Sequence, residues 1–216
     1  MTSFRDRYQE LGLRRNPFAA WQLDEPIPDA FVSRGVPDPP MPKSKTLVQV
    51  IGESGYGKST HLHHWRKQSP GPYHYIPRRP LAARRTTPPL EDLVYGDEID
   101  RMPRSIRRRW FYDLAARNAT LVIGTHADLS RLGRRAGFTV VTHWLAPIGL
   151  DDLEKMITAR LENESTRPDS FRFTDDEIRE VLLRSDGVPG QADVVCHQLL
   201  AQRALQLTGS RHQPLS

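Results

Sequence analysis

Gly52-Glu53-Ser54-Gly55-Tyr56-Gly57-Lys58-Ser59 matches G-x-x-x-x-G-K-S/T in full, and its flanks decide the fold. Before it, Thr46-Leu47-Val48-Gln49-Val50-Ile51 is a short β-rich run leading straight into the loop. After it, Ser59-Thr60-His61-Leu62-His63-His64-Trp65-Arg66 continues without Gly or Pro, as a first helix should. The chemistry needs this spacing. A Gly-rich turn lets successive backbone N–H groups converge on phosphates, Lys58 reaches the β/γ oxygens, and the Ser59 hydroxyl is placed to ligate Mg²⁺. Residues 52–60, including Glu53, Ser54, Tyr56 and Thr60, are therefore the expected nucleotide-binding stretch. By chance the pattern would arise in roughly 1% of chains of this length at ordinary residue frequencies.

Composition bounds the rest. The chain has 216 residues, enough for one domain with an appendage or two small ones. Its single cysteine, Cys196, excludes an internal disulfide framework and suits a reducing compartment. No apolar run approaches the ~18 residues needed to span a bilayer, and Met1 to Arg7 lacks the apolar core of a secretory signal. The expectation is a cytoplasmic protein without membrane insertion. The formal charge of +5 is carried mainly by arginines in three groups: Arg101 with Arg104, Arg107, Arg108 and Arg109; Arg131 with Arg134 and Arg135; and Arg78, Arg79, Arg84 and Arg85. Such stripes serve either as a nucleic-acid footprint or as solvated helix faces.

Periodicity divides the chain into four expected stretches. Residues 1–45 form a Pro-rich N-terminal segment in which only Phe4 to Leu13 can make a short helix. Residues 46–149 form the nucleotide-binding core. Tyr73–Pro77, Leu93–Gly96, Thr120–Gly124 and Phe138–Thr142 read as further strands, and Ser105–Asn118 reads as a helix. Strands alternating with helical patterns predict a parallel, doubly wound α/β sheet flanked by helices. Residues 150–207 read as three helices, 151–162, 174–184 and 191–207, forming a small α-helical subdomain, and 208–216 as a loose tail.

Leu93-Val94-Tyr95-Gly96-Asp97-Glu98 supplies the second half of the site. An apolar strand ending in Asp-Glu presents Asp97 to the Mg²⁺ shell and Glu98 to the attacking water. Thr125 follows a strand expected beside the loop-bearing one, where a polar group orients water or senses the γ-phosphate. Three other readings fit less well. Thr125-His126-Ala127-Asp128 echoes the guanine-recognition motif of GTPases, but His126 replaces its lysine. His61, His63 and His64 have no partner carboxylate for a metal site. Trp65, Trp110 and Trp144 are expected to pack internally.

The order of parts resembles an AAA+ ATPase. Within that group it is similar to the secretion and transposition branch, the ExeA-like and TniB/TnsC-like ATPases. Leu11-Gly12-Leu13-Arg14-Arg15-Asn16-Pro17-Phe18 resembles the branch's Gly-Leu-x-x-x-Pro-Phe opening, which implies an adenine-side contact. Val122 to Leu129 resembles its sensor-1 strand, Leu145-Ala146-Pro147-Ile148 with Ala159-Arg160-Leu161 its lid start, and Gly187-Val188-Pro189 with Val195-Cys196 a later lid segment. The resemblance implies ATP and Mg²⁺ as ligands, hydrolysis, and a homo-oligomer. It also implies a partner in DNA transactions: double-stranded DNA, with a transposase or another protein. It further implies an arginine finger acting on a neighbouring subunit, for which Arg134 and Arg135 stand in the right place. Two features depart from the branch. Gly190 occupies the position of its sensor-2 arginine, which implies hydrolysis that is slow or needs a partner, and Pro77 to Asp92 is too short for the usual second helix. A protein-only regulator of a secretion, defence or signalling complex is the competing expectation.

Overall fold

The computed structural model describes residues 6–19, 31–38, 42–79, 81 and 87–210. Phe4, Arg84, Arg85, most of the basic loop after Arg79 and the last six residues of the expected tail lie outside them. The chain divides into two compact units, residues 35–146 and residues 1–34 with 147–216.

In the first unit the expected strands form a five-stranded parallel sheet. They are β1 (Thr46–Ile51), β2 (Tyr73–Tyr75), β3 (Leu93–Asp97), β4 (Thr120–Thr125) and β5 (Thr139–Trp144), in the order β2-β3-β4-β1-β5. β1, β3 and β4 are buried at every residue, which is why they read as continuous apolar runs without alternation. The alternation reappears in which face each residue serves. Leu47, Val94, Leu121 and Ile123 pack with Trp110, Phe111 and Leu114 of α3 (Arg104–Ala116). Val48, Val50, Tyr95 and Val122 pack with Leu62 and Trp65 of α2 (Lys58–Gln68). Covering both faces is what a parallel sheet requires.

The centre of β1 carries a polar residue, Gln49, with no solvent exposure. Such burial is tolerable only with partners. The two hydrogens of its Nε2 face Asp128 Oδ1 (2.8 Å), Ser130 Oγ (2.6 Å) and Thr142 Oγ1 (2.8 Å), and its Oε1 accepts from the Leu129 N–H (2.9 Å). These bonds anchor the start of α4 (Ser130–Ala136) to the sheet. Edge strand β5 is partly exposed, and Trp144 at its end is 67% exposed. The expectation that all three tryptophans pack internally therefore holds for Trp65 and Trp110 and fails for Trp144, because an edge strand has no neighbour on its outer side.

The second unit holds α1 (Asp6–Gln9), α5 (Leu150–Glu164), α6 (Asp175–Ser185) and α7 (Pro189–Ser210). Thr174 and Glu177 form a reciprocal capping box at the start of α6. α7 begins on Pro189, a residue suited to the first turn, and runs three residues beyond the expected 207. Tyr8, Leu11, Leu13 and Phe18 are buried in this unit's core with Leu153, Val181 and Leu200. The backbone ties them there through Arg14 N to Glu164 O (2.8 Å), Thr166 N to Gly12 O (2.8 Å) and Phe171 N to Leu11 O (2.8 Å). Among the described residues the short N-terminal helix is Asp6–Gln9 and stops before the expected Leu13, since the chain turns at Gly12 (φ +72°) to join this core.

Candidate nucleotide-binding site

The loop between β1 and α2 turns on two left-handed glycines, Gly55 (φ +85°) and Gly57 (φ +88°), a conformation that penalises any side chain. Gly57 caps α2 without a side-chain hydrogen bond, and the first turn carries no acid. The first N–H groups of an eleven-residue helix thus stay available to an anion, with the positive end of the helix dipole behind them. Glu53, Ser54, Gly55 and Thr60 are exposed, while Lys58 is buried. The Lys58 ammonium donates to the carbonyls of Gly52 (2.9 Å) and Glu53 (3.0 Å). Burial lowers its pKa, an effect opposed by the charges of Glu98 and Asp97.

The parallel register places the second half of the site beside the loop. β3 lies next to β4, which lies next to β1, so Asp97 pairs with Gly124 and Ile51 with Thr125. Asp97 is 1% exposed, and its Oδ2 accepts from Ser59 Oγ (2.6 Å) and from the Tyr73 hydroxyl (2.7 Å). The Glu98 N–H donates to Oδ1 (3.0 Å). Burial, and then the Asp97 carboxylate, push the Tyr73 phenol well above its ordinary value, so it acts as a donor. Gly124 makes room for this arrangement: a Cβ there would stand 2.6 Å from Asp97 Oδ1.

Glu98 adopts a left-handed conformation (φ +59°), which costs a non-glycine residue about 1–2 kcal/mol. It opens the short 3₁₀ turn Ile99–Arg101, which the sequence reading missed. That turn brings Arg101 Nη2 to 2.7 Å from Glu98 Oε2, and His126 Nε2 lies 3.0 Å from the same oxygen. The turn also brings Asp100 under the end of β4. Asp100 Oδ1 accepts from Thr125 Oγ1 (3.2 Å) and from the His126 N–H (3.0 Å). Thr125 itself is fully buried, and its single hydroxyl hydrogen has two acceptors within reach, Asp100 Oδ1 and Ala127 O (3.0 Å).

Eleven expected positions therefore converge: the loop from Gly52 to Thr60, Asp97 and Glu98, with Thr125 buried beneath them. Arg134 and Arg135 do not. They are exposed in the last turn of α4, and the following Gly137 lies by Lys45, where a Cβ would meet the Lys45 side chain at 3.4 Å. Thr139 then pairs with Thr46 at the start of β1. The two arginines thus sit by the N-terminal edge of the sheet, and β1 separates that edge from the loop by roughly 17 Å at 3.3 Å per residue.

Tyr73, Asp100 and Arg101 are the site residues that sequence reasoning passed over, while His126 reads as following the β4 strand beside Thr125. Tyr73 reads as an ordinary strand residue, Arg101 as one of a group of charged arginines, and Asp100 lies before the helix expected from Ser105. Of the three histidines on α2, His61 is buried with Nδ1 2.9 Å from Gly57 O, and His63 stacks on Tyr73 with ring centroids 4.3 Å apart. Among the described residues no group of three or more His, Cys, Asp or Glu side chains converges as a metal cluster. No described helix is long and apolar enough to cross a membrane.

No protein-family model and no curated protein matches the chain. Solved structures do. RuvB of Thermotoga maritima, described as a Holliday junction branch migration motor, superposes with a TM-score of 0.50 at 18% identity, over 77% of this chain and 56% of that one. A single-site variant of the same protein gives a TM-score of 0.50 at 17% identity, over 77% and 56%. This chain spans a little over half the length of the RuvB chains that it matches. At such identity the likeness establishes fold: the parallel sheet with its phosphate-binding loop and flanking helices is the P-loop NTPase fold of AAA+ ATPases.

Proposed function

We propose that this chain is an ATP-binding and ATP-hydrolysing AAA+ switch that assembles with copies of itself and acts on double-stranded DNA, as a transposition-type regulator does. The observation that carries the nucleotide part is the 2.6 Å hydrogen bond from Ser59 to Asp97, which ties the phosphate loop to the acidic end of β3. A hydroxyl and a carboxylate sharing one point are hard oxygen donors of the kind Mg²⁺ takes. Ser59 and Asp97 are the residues that would hold the ion, whose charge would neutralise phosphate oxygens.

The protein's own groups then have defined tasks. The α2 N-terminus and Lys58 hold the β- and γ-phosphates. Glu98 accepts a proton from a water molecule as the water oxygen bonds to the terminal phosphorus. The bond from that phosphorus to its bridging oxygen breaks, leaving ADP and inorganic phosphate. Because Arg134 and Arg135 sit by the opposite edge of their own sheet, an arginine finger drawn from them acts on a neighbouring copy. Gly190, in the first turn of α7, offers no side chain to the nucleotide, in keeping with slow or partner-stimulated turnover.

Two observations support the nucleic-acid part. Arg104, Arg108 and Arg109 on α3 and Arg131, Arg134 and Arg135 on α4 are exposed on a chain of net charge +5. The fold neighbour is a motor on DNA junctions. Phosphate contacts by such arginines give affinity that falls steeply with salt.

The test is direct. Lys58→Ala should lose ATP binding, and Glu98→Gln should bind ATP but not turn it over. Retained affinity in the first variant refutes the loop assignment; unchanged turnover in the second removes Glu98 as the base. ATP-loaded protein that ignores duplex DNA at low salt refutes the DNA role, and a single stoichiometric protein partner would then favour the protein-only regulator.

A further inference from the structure

Along one face of α5, Glu154, Ile157, Leu161 and Glu162 recur at helical spacing and form one wall of a cleft in the helical unit. The non-helical stretch from Pro168 to Phe173 and the start of α6 form the other. The deepest lining is apolar: Ile157, Leu161, Phe173 and Ile178 are all buried. The exposed lining carries three carboxylates, of Glu154, Glu162 and Asp175, against one guanidinium, of Arg172. Arg172 meets Glu162 at 3.5 Å with both side chains more than half exposed, a pair worth little in water. The cleft holds about 210 Å³. Sites for whole small molecules run from roughly 300 to 1,000 Å³, so this one suits a single apolar side chain. The unit around it is acidic: residues 1–34 and 147–216 carry 13 Lys and Arg against 17 Asp and Glu, whereas residues 35–146 carry 18 against 9. An apolar cleft with an acidic mouth calls for a basic occupant with an apolar anchor. The third arginine group of the chain has that form. Arg78-Arg79-Pro80-Leu81-Ala82-Ala83-Arg84-Arg85 sets a leucine between two arginine pairs. Leu81 is 71% exposed, more than any other large apolar side chain described in the sheet-bearing unit, and Arg78 and Arg79 are exposed before it.

We propose that this cleft takes Leu81 of a second copy of the chain, with the arginines on either side of the leucine meeting the carboxylates at the mouth. The self-assembly part of the reading above underlies this; the nucleotide part does not. The spans agree. Glu154 and Glu162 lie eight residues apart on α5, about 12 Å at 1.5 Å per residue. Arg79 and Arg84, on either side of Leu81, reach up to about 17 Å apart when extended. Each glutamate thus meets an arginine while the leucine enters between them. The buried leucine supplies affinity, and the ion pairs at an open mouth supply register and salt dependence.

The test titrates a fluorescently labelled peptide of residues 77–86 against the full-length protein at low salt and follows its anisotropy. The peptide should bind the wild type, and its Leu81→Ser form should bind about 10- to 100-fold more weakly, the worth of burying one leucine. Glu154→Arg with Glu162→Arg should abolish binding; both side chains are exposed, and melting temperatures control for folding. Sedimentation velocity without nucleotide then reads the contact between copies. The reversed cleft, and separately Arg78→Glu with Arg79→Glu, should each weaken self-association. An equal mixture of these two proteins should recover it, because opposite charges then face each other at both contacts, a recovery that misfolding does not produce. A peptide that fails to bind, or that binds the reversed cleft equally well, overturns the inference; oligomers that persist leave the self-assembly reading standing. Peptide binding without any association between copies places the contact within one chain and overturns the second copy as occupant. A wild type that binds no peptide and stays monomeric with and without AMP-PNP overturns both readings.

Discussion

Replacing Gly124 with alanine tests whether the geometry around Asp97 is as tight as its hydrogen bonds imply. The new Cβ would stand 2.6 Å from Asp97 Oδ1 and 3.4 Å from Lys58 Cβ. A carbon–oxygen contact settles near 3.3 Å, so the carboxylate oxygen must retreat by about 0.7 Å. The carboxylate has little freedom to move, its Oδ2 being held by Ser59 (2.6 Å) and Tyr73 (2.7 Å) and its Oδ1 by the Glu98 N–H (3.0 Å). A retreat of that size stretches the Glu98 bond beyond ordinary range. Overpacking of this kind costs about 1–3 kcal/mol, or roughly 2–12 °C in melting temperature for a chain of this size. Because Asp97 and Ser59 are the proposed Mg²⁺ holders, the Mg²⁺-dependent part of triphosphate affinity should weaken about tenfold, the equivalent of 1.4 kcal/mol. Thermal denaturation and titration with AMP-PNP across Mg²⁺ concentrations read both effects. Gly149→Ala is the matched control: a Cβ there meets nothing within 4 Å, and its φ of −83° is unstrained. A Gly124→Ala protein that melts with the wild type and keeps its Mg²⁺ dependence refutes the reasoning.

Four other outcomes are expected. Cys196 is buried, and burial followed by the Asp193 carboxylate pushes its thiol up to about 12, so it should resist alkylation at pH 8 until the protein unfolds. The unfolded thiol ionises near 9 while the folded one holds its proton to about 12; its contribution is thus complete below 9, and stability should fall as pH rises through that window in a melting series. Arg160 and Asp193 form a mostly buried ion pair at 2.7 Å. Arg160→Leu should therefore destabilise the helical unit by about 3–5 kcal/mol in denaturant melts, and adding Asp193→Leu should recover most of the loss. Finally, variants at Arg134 or Arg135 should bind ATP normally but fail to hydrolyse it. Mixing such a variant with Lys58→Ala protein should restore partial turnover, because some interfaces then pair an intact loop with an intact finger; no recovery in mixtures argues against a finger acting between subunits.

Much of the sheet-bearing unit was readable in one dimension. β1 matches its expected bounds, and the other strands agree to within one or two residues at most ends. The reason is local: buried parallel strands are short apolar runs, and the phosphate loop is one contiguous segment whose glycines are demanded by its own backbone. Local signals failed where a residue's role depends on a distant partner. Tyr73 matters because β2 lies beside β3, and Asp100 because its turn passes under the end of β4. Leu11, Leu13 and Phe18 were legible as a motif but not as core, since their partners lie more than a hundred residues away.

The sequence by itself determined the fold class, through the alternation that makes a parallel sheet, and the motifs on which the nucleotide proposal stands: the glycine-rich loop and the Asp-Glu pair after an apolar strand. Tertiary structure alone decided which side chains meet. It buried the Thr125 hydroxyl, placed His126 between Lys58 and Glu98, and set Arg134 and Arg135 by the far edge of the sheet from their own loop. The physical reason is that a motif specifies backbone conformation over a few residues, whereas hydrogen bonds and ion pairs form between whatever the sheet register brings within about 3 Å.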